Sequence, residues 1–417
     1  MILGGGTTAL GALRAFGRAG IPSYVAPVAA DLLRRSRWYR PWPGAQVGIG
    51  DTDALSRTLE GSGIERAVLV PCTDLSVQAA SGLPPELAAR FPACVPPPAA
   101  LGALVNKASL HDRLSALGLP SPRTTRLRAA RDLIGVPDDL LSRSFLKPAD
   151  SCTFQIRCGR KALWFESLAE ARCIVQDALA DGCELLLQEY VPGPPTAHHF
   201  VDGFIDRHGR ITAMFARQRL RMWPPDFGDS SAMVSVPLEV VVPAVRSLET
   251  LLHSVSYRGI FSAEFKRDAR DGVFRLLEVN TRVWKYVDFA ASCGVDVCRM
   301  AYDDAMGRDV DAVRGYTIGA TCVDAYFDRM PCLHLFRERR LGLAEWARCW
   351  LRSRQIAWAW DDPLPGLSWA AAFALPWARR SGTARIDRVY GHPPTVSIDD
   401  AQRESAPGRV PVRTNPR

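Results

Sequence analysis

The stretch from Gly259 to Trp284, GIFSAEFKRDARDGVFRLLEVNTRVW, constrains the fold of this chain more than any other. It reads as two strands joined by a turn over residues 268–272. Glu278, Asn280 and Arg282 alternate in the second strand, so their side chains leave one face, and Ser262, Glu264 and Lys266 share a face in the first. A turn of this length sets Glu264 opposite Leu276 or Glu278, and either register brings it onto the face of Glu278. Facing carboxylates destabilise a sheet unless a cation lies between them or one is protonated. Two carboxylates and an amide oxygen form an all-oxygen set suited to Mg²⁺, which keeps few protein ligands and accepts phosphates. Arg282 beside them is placed to neutralise a transferring phosphoryl group. The competing reading is a solvent-facing hairpin whose charges carry no chemistry.

The rest of the chain frames this hairpin. With 417 residues, 47% apolar and 23% charged, it can bury a sizeable core and is expected to divide into two or three units. Residues 1–100 alternate short apolar runs with amphipathic helical patterns: strands over 1–3, 24–26 and 67–71 and a helix over 7–19 predict a small parallel α/β domain. Gly4, Gly6 and Ala9 satisfy a loose dinucleotide fingerprint, yet Ala26 and Pro27 end the second strand without an acid to hold a ribose. A tight strand-to-helix turn is therefore expected there. The Pro-rich run 91–100 punctuates the chain. Beyond it, helices over 107–117, 168–180 and 243–255, and strands over 144–147, 184–190, up to 223, and 260–282, predict an α+β unit over 101–310. Residues 311–380 carry Trp- and Arg-rich helical patterns, and 381–417 are expected to form a flexible tail.

The formal net charge of +8, gathered in Arg-rich stretches, favours anionic partners. Nucleic acid is not expected among them, since aromatic and basic residues do not alternate as a stacking platform requires. Eleven cysteines without a CxxC pair suit free thiols in a reducing cytoplasm and no zinc site. The opening MILGGG has no secretory leader pattern, so a cytoplasmic location is expected, and a first strand at Met1 leaves open an earlier start.

The pairing of AEFKRD with LEVNTR resembles the ATP-grasp superfamily, in which an acidic strand and an E-x-N-x-R strand bind two Mg²⁺ ions and the ATP phosphates. The resemblance implies metal ligation (Mg²⁺ or Mn²⁺) by Glu264, Glu278 and Asn280, with Arg282 as the catalytic stabiliser of phosphate and intermediate. Its other parts follow in the expected order. Lys107, after Asn106 at a helix start, is similar to the first ATP lysine, and Lys147 in Phe145-Leu146-Lys147-Pro148 to the second. The run from Leu185 to Gly193 looks like the adenine hinge, which implies ATP binding by Gln188, Glu189, Tyr190 and Val191, with backbone near Glu189 and Val191 on the adenine edge. The implied fold is a pre-ATP-grasp α/β domain, then an α+β ATP-grasp domain whose two lobes grip ATP (lid at about 107–187), then a helical extension. Two departures stand out: Ala149, Asp150, Ser151, Cys152 and Thr153 hold no glycine for a phosphate loop, and Pro194, Pro195 and Thr196 stand where many members carry a ribose-binding glutamate.

Arg217, Arg219 and Arg221 alternate on one strand; Arg219 and Arg221 are candidate substrate residues, and a solvated basic strand is the other reading. His198, His199 and His208 lack metal spacing and are expected to be structural. The resemblance, stronger to amino-acid ligases of the D-aspartate ligase kind than to biotin carboxylases, implies an acyl phosphate made from a small carboxylate and ATP and transferred to an amine. A bicarbonate-using carboxylase of the biotin-carboxylase type and a non-catalytic ATP-binding regulator are the alternatives. Trp346, Trp350, Trp358, Trp360, Trp369 and Trp377, interleaved with arginines, suit packing on the catalytic body or weak contact with a membrane surface.

Overall fold

The structure is a computed structural model that describes residues 1–26, 31–44, 48–149 and 162–374. Three sheets organise it. The first joins β1 (Ile2–Leu3), β2 (Ser23–Ala26), β3 (Tyr39–Pro41) and β4 (Val70–Pro71), all parallel, in the order β3-β2-β1-β4. At Gly4 the chain leaves β1 with φ +144°, and a Cβ there would stand 2.9 Å from Cβ of Cys72. The bare glycine thus lets the ends of β1 and β4 approach, beneath the helix Gly6–Arg18.

A small antiparallel sheet holds β5 (Thr124–Leu127), β6 (Ser144–Pro148) and β7 (Leu185–Glu189) in the order β5-β7-β6. Its Leu127, Leu146, Leu185 and Leu187 pack with Ala171 and Val175 of the helix Leu168–Ala180.

The third sheet has seven strands: β8 (His198–Ile205), β9 (Ile211–Trp223), β10 (Asp229–Val236), β11 (Gly259–Arg267), β12 (Phe274–Asn280), β13 (Thr321–Val323) and β14 (Arg354–Gln355), ordered β12-β11-β8-β9-β10-β13-β14. Both faces are covered, as period-two alternation records. Val201, Ile205 and Ala216 pack with Leu248, Leu251 and Leu252 of the helix Val242–Ser254. Phe204 and Phe215 join Leu10, Leu13, Val287 and Phe289 on the other side. That second cluster runs without a break from the first sheet into the third, so the N-terminal α/β unit and the large lobe share one core.

The C-terminal extension is helical over Ala325–Arg337, Leu343–Arg352 and Leu364–Ala374, but β13 and β14 also continue the large sheet, which the helical patterns did not reveal. It is bound to the first helix through Arg14. This fully buried guanidinium donates to Asp362 Oδ2 at 3.0 Å, to the Ile356 and Ala357 carbonyls at 2.8 Å, and to the Asp362 carbonyl at 2.9 Å. No described helix is long and apolar enough to cross a membrane. The expectations for Pro27, the loop from Asp150 to Thr153, Trp377 and the tail 381–417 lie outside the described residues.

Candidate active site

The hairpin takes the register that sets Glu264 directly opposite Glu278, with Ser262 opposite Asn280. These strands form the floor of a cleft of about 450 Å³. Lys107, Lys147, Gln188, Glu189, Tyr190, Val191, Arg219, Glu264, Glu278, Asn280 and Arg282 all line it. The fold therefore brings together residues spread from position 107 to position 282.

Strand alternation aims the carboxylates into the cleft, and their surroundings differ. Glu264 Oε1 accepts from Arg219 Nη2 at 2.9 Å and lies 2.7 Å from His198 Nδ1. Burial would raise its pKa, but Arg219 and then His198 outweigh this and hold it at about 2. Burial, with Arg219 close by, pushes His198 down to about 3. A neutral imidazole beside an ionised carboxylate donates through Nδ1, which leaves Nε2 as a buried acceptor without a partner among the described residues. His198 thus belongs to the cleft wall rather than to structure alone. Its position on β8, the strand next to β11, is the tertiary fact that sequence spacing could not supply.

Asn280 Nδ2 donates to Glu278 Oε1 at 3.2 Å, which leaves the amide oxygen as a further ligand atom. Among the described residues no three His, Cys, Asp or Glu side chains gather as a metal cluster. The facing carboxylates and the amide oxygen instead form a hard-oxygen set, fitted to a divalent cation that completes its shell with water and phosphate.

Cations flank this set, Lys147 from β6 of the small sheet and Lys266 from β11 itself. Lys147 is only 9% exposed; burial, with Lys107 nearby, lowers its ammonium to about 7 against the pull of Glu278 and Glu264. Lys266 is brought down to about 8, chiefly by burial, and lies 4.4 Å from the centre of the Tyr190 ring. The Tyr190 hydroxyl donates to Asp226 at 2.6 Å, so the loop between β9 and β10 reaches across to the hinge. Phe227 of that loop packs 4.6 Å from Phe145 and 5.1 Å from Trp164, giving the cleft an aromatic wall.

The hinge residues are less free than their pattern implies. Gln188 donates to Thr124 Oγ1 at 2.9 Å, and Glu189 forms ion pairs with Arg143 and Arg270. The N–H groups of Glu189 and Tyr190 are taken by the carbonyls of Arg123 and Arg143, both at 2.8 Å.

Of the arginine trio only Arg219 enters the cleft. Arg217 is paired with Asp202 at 2.6 Å and Arg221 with Asp328 at 2.7 Å, both buried. The candidate substrate role of Arg221 is corrected accordingly: its fork is closed by a carboxylate from the C-terminal extension, which also accepts from Ser231 and Trp350. Arg282 is met by Asp74, which sequence reading missed. Thr73 caps the helix Asp74–Ser81 in a reciprocal bond with Ser76, and this fixes Asp74 at the cleft edge.

No family model matches the chain. It is 24% identical over 209 residues to D-aspartate ligase of Enterococcus faecium (strain Aus0004), an overlap of 48% of this chain and 49% of that enzyme. The chain thus aligns with about half the length of that curated relative. Among solved structures, a biotin carboxylase of Campylobacter jejuni in complex with β,γ-ATP matches 77% of this chain and 74% of its own, with TM-score 0.58 and 16% identity. The biotin carboxylase domain of the Hydrogenobacter thermophilus 2-oxoglutarate carboxylase, with MgADP and bicarbonate, matches 77% and 72%, with TM-score 0.59 and 15% identity. The fold is the ATP-grasp fold, and fold and sequence likeness together point to the ATP-grasp superfamily.

Proposed function

We propose that this chain is an ATP-dependent carboxylate–amine ligase. The observation that carries the reading is the ladder position of Glu264 against Glu278, with Asn280 beside them and Lys147 facing them across one cleft. In this reading Glu264, Glu278 and Asn280 hold Mg²⁺, which would screen the phosphate charge and orient the γ-phosphate. Lys107 and Lys147 bind the phosphates, and the aromatic wall with the Val191 backbone receives the base. Arg282 and Arg219 stabilise charge as it develops on the transferred group.

A substrate carboxylate oxygen attacks the γ-phosphorus, the bond to the β-phosphate oxygen breaks, and acyl phosphate and ADP result. The amine then attacks the acyl carbon, loses a proton, and inorganic phosphate leaves. Positioning and fixed charge do this work, so no side-chain nucleophile is required. The likeness to D-aspartate ligase supports an amino acid as one of the two substrates.

The test is ADP release from panels of carboxylates and amines, with hydroxylamine present to trap an acyl phosphate as hydroxamate. Release that needs both a carboxylate and an amine is expected. Release with bicarbonate alone would support a carboxylase instead, and MgATP binding without turnover on any pair would support a regulator. Full turnover by Glu278→Ala would refute the metal assignment.

A further inference from the structure

A second cavity, of about 470 Å³, opens between the helix Gly6–Arg18 and residues 351–361 of the extension. The chain between Arg282 and Tyr286 divides it from the first cleft: Arg282 lines the first, Lys285 and Tyr286 the second. On its rim stand Leu351 and Trp360, which at 87% and 90% are the most exposed large apolar side chains among the described residues. Trp358 lines the same space.

The charges around this cavity are unequally matched. Arg18 is paired with Asp288 and Asp361, and Lys285 with Asp324 at 2.6 Å. Arg352 and Arg354, both exposed, have no carboxylate in ion-pairing reach among the described residues. Two open guanidiniums beside exposed indole and leucine surface fit a ligand with an acidic end and an apolar body.

We propose that this cavity binds a carboxylate that carries an acyl chain or an aromatic ring. Arg352 and Arg354 hold its acidic end, and Leu351, Trp358 and Trp360 cover its body. The binding stands on the cavity alone and does not depend on the ligase reading above.

Calorimetric titration of the full chain with dodecanoate, below its micelle concentration, tests this against acetate, dodecyl phosphate and phosphatidylglycerol vesicles. One dodecanoate per chain is expected, bound about tenfold or more tighter than acetate. The double variant Arg352→Ser with Arg354→Ser, and separately Trp360→Ala, should each weaken it about tenfold at unchanged melting temperature. Equal binding of acetate and dodecanoate, unchanged binding by both variants, tighter binding of dodecyl phosphate, or capture by vesicles alone would overturn the proposal. A parallel MgATP titration separates the two readings: failure there, with dodecanoate binding intact, counts against the ligase alone.

Discussion

Arg282 donates to both carboxylate oxygens of Asp74, at 2.7 and 3.3 Å, although 208 positions separate them. The pair joins the N-terminal α/β unit to the end of β12 at the edge of the cleft. Asp74 therefore positions the guanidinium proposed to stabilise the transferred group. Asp74→Asn should lower kcat of ADP release by about tenfold to a hundredfold, since small misplacements of a charged group are costly. MgATP affinity should move by no more than about threefold. An unchanged kcat would separate Arg282 from the chemistry.

Lys147 carries a pH signature. Its folded pKa lies near 7, below the ordinary 10.5, because burial penalises the ammonium. Between these values the unfolded chain holds this proton and the folded one does not, so the contribution of Lys147 to apo stability rises with pH through that window and is lowest below 7. Phosphates arriving beside Lys147 favour its charged form. MgATP binding at pH 8 should thus take up a proton, seen as a binding enthalpy that varies with the ionisation enthalpy of the buffer. Lys147→Met should abolish that uptake, weaken MgATP and raise the apo melting temperature.

Asp328 has no place in the cleft, yet it answers Arg221, Ser231 and Trp350 together. Removing one partner of a buried ion pair leaves an uncompensated charge, so Asp328→Ala should cost about 3–5 kcal/mol in denaturant unfolding. Replacing both partners, Arg221→Met with Asp328→Leu, should recover most of that loss. If Arg221→Met alone abolished turnover at full stability, a substrate role would return.

Gly4 and Gly5 make a matched pair of tests. Alanine at Gly4 meets Cys72 at φ +144°, whereas Gly5 has nothing within 4 Å of an added Cβ. Gly4→Ala should destabilise by about 1–3 kcal/mol, and Gly5→Ala should leave the melting temperature within a degree or two, as unstrained surface changes do.

The hairpin was the most legible part of the chain, because alternation and turn length fix a shared face whatever surrounds it. The helix Leu168–Ala180 was equally plain from its own period. What escaped depends on contacts between distant segments. His198 carries no local signal, and its role exists only because β8 lies beside β11. Asp74 looks like any acid in a first helical turn until β12 arrives opposite. Arg219 and Arg221 are alike in sequence; Glu264 meets the first in the cleft, and Asp328, 107 positions beyond Arg221, closes the second. β14 is two residues long, too short for any periodicity to announce it.

Arg14 has a consequence for the order of assembly. During synthesis the first helix emerges more than 300 residues before Ile356, Ala357 and Asp362, the partners of its buried guanidinium among the described residues. Until then the helix can dock only with a bare cation in its interior or with that side chain turned outward to water. The packing of the first helix around a paired Arg14 is therefore complete only once the extension is made, although that helix is made earlier. A ribosome stalled before residue 356 should carry a nascent chain whose opening segment is still open to protease.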